Sequence, residues 1–240
     1  MLLGRLGCMQ HADSARTRRY TVVSHYNPVE VTLDIRRSEF IGMIRRVETE
    51  DEARAWIDQV RGVHHSATHV VPAFVLGPDR DIQRSSDDGE PAGTAGMPML
   101  QALTNYRAVH AGVEYADLSD VCAIVVRYFG GVKLGAGGLV RAYSDTVVAA
   151  LEQTPLRIRQ RMLHVALDAP HAEVGRVENE LRSANFTVLG TDYAGPRATI
   201  TVGLDDADDA LEQFNARLAS ITAGELSAEP VGKQWEDIAA

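Results

Sequence analysis

Three carboxylates within four positions, Asp87, Asp88 and Glu90, stand in the segment SDDGEPAGTAG, Ser86 to Gly96. Three cations, Arg127, Lys133 and Arg141, stand in a second glycine-rich segment, RYFGGVKLGAGGLVRAY, Arg127 to Tyr143. Carboxylates this close repel one another unless something positive lies among them, either a divalent cation or the charged groups of the other segment. Two chemistries follow. In one, Asp87, Asp88 and Glu90 hold Mg²⁺ or act as general bases facing a bound anion, giving a metal-assisted phosphoryl-transfer or hydrolytic enzyme. In the other they pair with Arg127, Lys133 or Arg141 and cap helix amides, which holds both loops rigid.

The glycines of the second segment, Gly130, Gly131, Gly135, Gly137 and Gly138, precede a helical pattern, so the loop empties into a helix N-terminus. Exposed N–H groups and the positive end of the helix dipole make such a junction an anion site. Thr94 and Gly96 add a similar start from the first loop. The pattern is not a Walker loop, since Ala136 follows Gly135 where lysine is needed. Nor is it a dinucleotide fingerprint, because Val140 stands where the third glycine belongs. A plain alternative is a tight strand-to-helix connection whose glycines serve close packing. His64, His65 and His69 invite a metal reading, yet they lie between a helix stop and a strand, and the non-metal reading is preferred. No nucleophile elbow, Cys/His pair or closed metal set is present, so no reaction is assigned. The expectation is no metal and no cofactor, with Mg²⁺ entering only under the enzymatic reading.

Several elements must position these residues. Val29, Val31, Leu33 and Ile35 alternate with polar residues as a half-buried strand, Arg36 to Ser38 turn, and Phe40 to Val47 return, with Gly42 a candidate bulge. Thr49 and Glu52 form a capping box before a helix whose inward face carries Ala53, Trp56, Ile57 and Val60. The apolar segment Val70 to Leu76 is a strand. A helix with Pro98 in its first turn carries Leu100, Leu103 and either Tyr106 or Val109 inward and stops at Gly112. Val121 to Val126 is an unbroken apolar run, read as a strand covered on both faces, and the helix after the second loop turns Val140, Tyr143, Val147, Ala150 and Leu151 inward.

With 240 residues, 45% of them hydrophobic, the chain has material for one large or two modest domains. A net charge of −9 argues against nucleic-acid binding through overall charge and leaves only a local basic patch. Cys8 and Cys122 form neither a disulfide framework nor a zinc set, which points to the cytoplasm. No run approaches membrane-spanning length. Residues 1–20 read as a loose leader, and Thr154-Pro155 marks a boundary between a domain at 21–154 and one at 155–235, with a tail at 236–240.

In the second domain, Met162 to Leu167 is a strand and Asp168 caps a helix with Val174, Val177 and Leu181. Strands follow at Phe186 to Tyr193 and Ala198 to Leu204, then a helix with Ala207, Leu211, Phe214 and Leu218, and a last strand from Glu225. The order βαββαβ is the ferredoxin-like plan. RNA-recognition modules share it, but Ala198 to Leu204 has no stacking aromatic, and residues 156 to 240 hold eight Lys+Arg against fourteen Asp+Glu. This half suits a protein partner or intramolecular docking.

Together, SDDGEPAGTAGMP and RYFGGVKLGAGGLVRAY resemble the two signature blocks of the IMPACT/YigZ family. His69 before an apolar strand, and Ser38, Phe40 and Ile41, fit the same family, and the resemblance spans about residues 20 to 235. It implies an α+β protein of two domains. The first is an α/β sandwich like the second domain of a small-subunit ribosomal protein, and the second is a ferredoxin-like domain similar to the last domain of translocation factor G. Eukaryotic members regulate translation by restraining the kinase that answers amino-acid starvation, and they carry an additional N-terminal RWD domain. Glu39, Met97 and Val70-Val71 depart from the family pattern, each removing polarity or positive charge.

The leading expectation is therefore a non-enzymatic, translation-linked regulatory or binding protein, with stress response and nucleic-acid binding as its themes. Its first domain would hold an RNA phosphate or a nucleotide between the two glycine loops. RNA, the ribosome or a translation-associated protein are the expected partners, and a membrane is not. The alternatives are the enzyme described above and a protein-interaction module with rigid loops.

Overall fold

The computed structural model describes residues 16–238, so most of the expected leader, with Cys8, and the last two residues of the expected tail lie outside the described residues. The chain divides into two compact units, one built on Arg19–Arg159 and the other on Gln160–Glu236. In chain order, the first unit contains β1 (Arg19–Val23), β2 (Val29–Ile35), β3 (Ser38–Arg46), α1 (Glu50–Val63), β4 (His69–Leu76) and β5 (Ile82–Ser85). These are followed by α2 (Gly96–Asn105), β6 (Ala108–His110), β7 (Val113–Tyr115), β8 (Val121–Tyr128) and α3 (Ala136–Glu152).

Five strands form one sheet in the order β2-β3-β8-β4-β5, with each neighbouring pair antiparallel. The central strand β8 explains its own sequence. Val121, Ala123 and Val125 join the core under α2 and α3, while Cys122, Ile124 and Val126 join the core under α1. A strand covered on both faces needs apolar side chains at every position, which is what the run supplies. α1 starts as its capping residues dictate: Thr49 Oγ1 accepts from the Glu52 N–H at 3.1 Å, and Glu52 Oε2 accepts from the Glu48 N–H at 2.7 Å.

Three local readings change. Gly42 is not a bulge, since the β2–β3 register runs unbroken through it. A Cβ there would lie 2.6 Å from Thr146 Cγ2, so the glycine lets α3 press against the sheet. α2 stops at Asn105, short of Gly112, because Tyr106 turns extended. Ala111 and Gly112 both take positive φ, a two-residue turn that folds 108–115 into the β6–β7 hairpin. Val140 is 37% exposed, and the buried stripe of α3 begins one residue earlier, at Leu139.

The second unit holds β9 (Leu156–Ala169), α4 (Val174–Ser183), β10 (Thr187–Asp192), β11 (Ala198–Asp205), α5 (Ala210–Thr222) and β12 (Ala228–Ile238), with β9 running through the boundary. β10 pairs with β11, β11 with β9 and β12 with β9, which is the ferredoxin-like order. Both helices lie on one core of Val165, Leu167, Val177, Leu181, Ile200 and Phe214. Asp168 does not cap α4. It remains in β9, where its Oδ1 accepts from the Thr199 hydroxyl at 2.6 Å.

Candidate functional site

The expected site residues gather at one end of the first sheet. Across β3, β8 and β4, register places Phe40 opposite Arg127 and Arg127 opposite His69. Directly opposed residues share a face, and Arg127 continues the alternation of Val121, Ala123 and Val125 toward α3. An arginine thus ends a buried apolar row. Its guanidinium lies 5.3 Å from the Phe40 ring and 5.3 Å from the Phe129 ring. Nη1 donates to Glu90 Oε1 at 2.5 Å, and the Tyr143 hydroxyl donates to the same oxygen at 2.8 Å. Arg127 is 5% exposed and Glu90 8%. Burial, with the bond to Glu90 next, pushes the Tyr143 phenol well above its usual range. The Arg127 charge is therefore already neutralised before any ligand arrives.

His69 closes the group. Its Nδ1 lies 2.8 Å from the Asp88 carbonyl oxygen, which can only accept, so the neutral ring carries its proton there. Nε2 lies 3.7 Å from Glu90 Oε1, beyond hydrogen-bonding reach.

The three carboxylates do not converge. Asp87 Oδ1 accepts from the N–H groups of Ala95 (3.1 Å) and Gly96 (2.8 Å), and Oδ2 from Gly93 (2.7 Å). Burial works to raise this carboxyl, and the three N–H groups overcome it and hold the pKa below the usual carboxylate value. Asp88 Oδ1 accepts from Arg61 at 3.1 Å and Oδ2 from the Val70 N–H at 2.7 Å. Glu90 belongs to Arg127 and Tyr143. Among the described residues, no group of three His, Cys, Asp or Glu is arranged to hold a metal ion.

The two loops consequently differ. In the first, the Gly96 N–H is taken by Asp87, and the Thr94 hydroxyl donates to the Pro91 carbonyl at 2.7 Å. In the second, Gly135 caps α3 with φ 73°, no side chain caps the helix, and no acidic residue lies in its first turn. Lys133 and Arg141 are exposed and have no ion pair among the described residues. They open onto different depressions. Lys133 lines a cleft of about 410 Å³ together with His69, Glu90 and Arg127, whereas Arg141 lines one of about 470 Å³ with Arg36, Gly137, Gly138 and Asp145.

Two arginines read from sequence only as turn residues also belong here. Arg36 and Arg37 take φ 47° and 69° between β2 and β3. A Cβ on Gly130 would lie 1.6 Å from the Arg37 carbonyl oxygen, so only glycine lets this turn rest on the loop. Gly131 continues the same loop with φ 86°. Both arginine side chains are exposed and without an ion pair among the described residues. Sequence reasoning also passed over Phe129, and it weighed His69 as a metal ligand and a family mark, not as a neighbour of Arg127. The period-two alternation of VCAIVVRY could have placed Arg127 inward, but the cross-strand register that sets His69 beside it has no sequence signature.

Comparison with known proteins gives the family. The family model of the Impact N-terminal domain matches residues 36–151, and that of a domain of unknown function, DUF1949, matches residues 167–225. IMPACT family member YigZ of Escherichia coli (strain K12) is 34% identical over 201 residues, covering 83% of this chain and 92% of that protein. The chain belongs to the IMPACT family. IMPACT family member YvyE of Bacillus subtilis (strain 168) is 42% identical over 160 residues, 67% of this chain and 69% of that protein. A solved structure described as the crystal structure of an hypothetical protein is 32% identical with a TM-score of 0.55, covering 88% of this chain and 97% of that one. Every residue of the candidate site, from Arg36 to Tyr143, lies inside the Impact N-terminal match. No helix among the described residues is long and apolar enough to cross a membrane.

Proposed function

We propose that this IMPACT family member is a non-enzymatic, translation-linked regulatory protein of the cytoplasm whose first unit binds RNA through its phosphates. The face concerned joins the β2–β3 turn to the start of α3. One observation carries the reading: in a chain of net charge −9, Arg36, Lys133 and Arg141 line clefts at an uncapped helix N-terminus, and Arg37 lies in the turn that rests on Gly130, all four exposed and none ion-paired among the described residues. Other arginines of this unit, such as Arg54, Arg61, Arg80 and Arg107, have carboxylate partners. Unpaired cations beside free amides suit phosphate oxygens. The non-enzymatic part is supported by the carboxylates, each committed to an amide or a cation of the chain itself. The RNA part is supported by the resemblance of the first domain to a ribosomal-protein domain.

A salt titration tests it. Four cations each neutralising one phosphate of a single strand give a log–log slope of about −3 for affinity against salt, at about −0.7 per phosphate. Converting Lys133 and Arg141 to Ala should remove about half of that slope. Absence of binding to an oligouridylate at low salt, or an unchanged slope in the double variant, refutes the reading.

A further inference from the structure

We propose that the cleft beside Lys133 receives one nucleoside monophosphate unit, its phosphate at the start of α3 and its base against Phe129; this rests on the RNA reading and gives that face a nucleotide subsite. The cleft, about 410 Å³, has the size of small-ligand sites, about 300–1,000 Å³. Its lining combines two chemistries. Lys133 and the Gly135–Ala136 start of α3 supply a cation and open amides suited to a single phosphate. Phe129, Leu134, Leu139 and Pro91 supply apolar surface.

Phe129 is the feature that selects a base. It is 45% exposed, yet the Arg127 guanidinium lies 5.3 Å from its ring and holds it in place, leaving a preorganised surface for stacking. The floor adds polar groups. With Nδ1 committed to the Asp88 carbonyl, His69 Nε2 makes no hydrogen bond and is an acceptor whenever the ring is neutral. Such an acceptor suits the exocyclic amine of a base. The Thr68 hydroxyl accepts from the Phe129 N–H at 3.1 Å and can still donate. Arg127, 5% exposed, lines the cleft, and its Nε is buried without a hydrogen-bond partner. Glu90 cancels the Arg127 charge, so the remaining positive charge comes from Lys133 and the helix start. That suits a monophosphate better than a polyphosphate.

The test is calorimetric titration of the full chain with adenosine and cytidine monophosphates, the free nucleosides, inorganic phosphate, a short peptide with a free carboxylate, and an RNA oligonucleotide. A monophosphate should bind about tenfold or more tightly than inorganic phosphate, the range expected for one stacked base. Phe129→Leu should erase that ratio without weakening phosphate, whereas Lys133→Ala should weaken both. Upfield ring-current shifts of the base protons in the unaltered protein provide a readout that no variant can compromise. Equal affinity for phosphate and monophosphate, or preference for the peptide carboxylate, overturns the proposal. If the oligonucleotide still binds in that case, the RNA reading stands; if neither nucleotide nor oligonucleotide binds, both fall.

Discussion

Replacing Glu90 by Gln is the sharpest probe of the buried pair beneath the cleft, because it preserves side-chain volume and an acceptor for Tyr143 while removing one charge. Arg127 and Glu90 are 5% and 8% exposed, and arginine cannot shed its proton, so the variant must bury an uncompensated cation. Removing one partner of a buried ion pair costs about 3–5 kcal/mol. Two features reduce the loss here: the Phe40 and Phe129 rings still face the guanidinium at 5.3 Å, and the Gln oxygen still accepts a neutral hydrogen bond. The expected destabilisation is about 2–4 kcal/mol. Arg127→Met leaves Glu90 buried instead, but a carboxylate can take up a proton, so that variant should recover at acidic pH and Glu90→Gln should not. The double variant should be less damaged than the two singles together by at least about 1.5 kcal/mol. Urea unfolding can be followed by Trp56 fluorescence in a Trp235→Phe background, because Trp56 lies in the first unit's core. If the single effects add to within about 0.5 kcal/mol, the two side chains are not coupled and the description of the site floor is wrong.

Two other carboxylates give pH-dependent outcomes of opposite sign. Asp87→Ala should destabilise by about 2 kcal/mol at neutral pH, the upper end for a helix cap, since three N–H groups lose their acceptor. Because Asp87's folded pKa is depressed, this advantage is present above the unfolded value near 3.8 and is lost as pH falls through the folded one, so wild type and variant should converge in acid. Asp120 is raised to about 6, chiefly by burial, against the hydrogen bonds from Tyr20 and Gly77 that favour its charged form. Its folded pKa exceeds the unfolded value, so its stabilising effect is complete below about pH 4 and is lost as pH rises through 6. At about 1.4 kcal/mol per pKa unit, the loss approaches about 3 kcal/mol. Asp120→Asn should flatten that slope in chemical denaturation curves at pH 4 to 7; an unchanged slope would assign it to another group.

The strands and helices of the first unit were largely legible because periodicity records burial. VCAIVV is apolar at every position since both faces of β8 are covered, and Thr49 with Glu52 announces α1 through an interaction between neighbours in the chain. The site was legible by composition and not by pairing. Carboxylates and cations were visible, but which meets which depends on β3–β8–β4 register and on how the first loop curls over α2. Proximity in sequence made Asp87, Asp88 and Glu90 look like one cluster. Yet Asp87 turns to the amides of Gly93, Ala95 and Gly96, Asp88 to Arg61, and Glu90 to Arg127. Arg36 and Arg37 were missed for the converse reason: ninety-odd residues separate them from the loop they rest on, and the contact is seen only in three dimensions, in the 1.6 Å approach at Gly130 and the bond from the Gly130 N–H to Ser38 Oγ.

Two glycine loops leading to two helices invite the expectation that both hold an anion, and α2 shows what happens when the chain closes such a start. There Asp87 supplies the anion from within, accepting from three N–H groups at 2.7–3.1 Å, and no outside group can reach them without displacing it. α3 begins from the same kind of loop but has no capping side chain and no acidic residue in its first turn. Of the carboxylates lining the two clefts at this start, Glu90 is spent on Arg127, and Asp145 shares its cleft with Arg141. A helix start left uncapped costs stability, and unpaired cations gathered around it add mutual repulsion. Both costs would fall away on docking of the proposed phosphate. Under that proposal the first loop is the rigid support and the second the binding element, so anion affinity should follow Lys133 and Arg141 and be insensitive to the hydroxyl of Thr94, which is already bonded to Pro91.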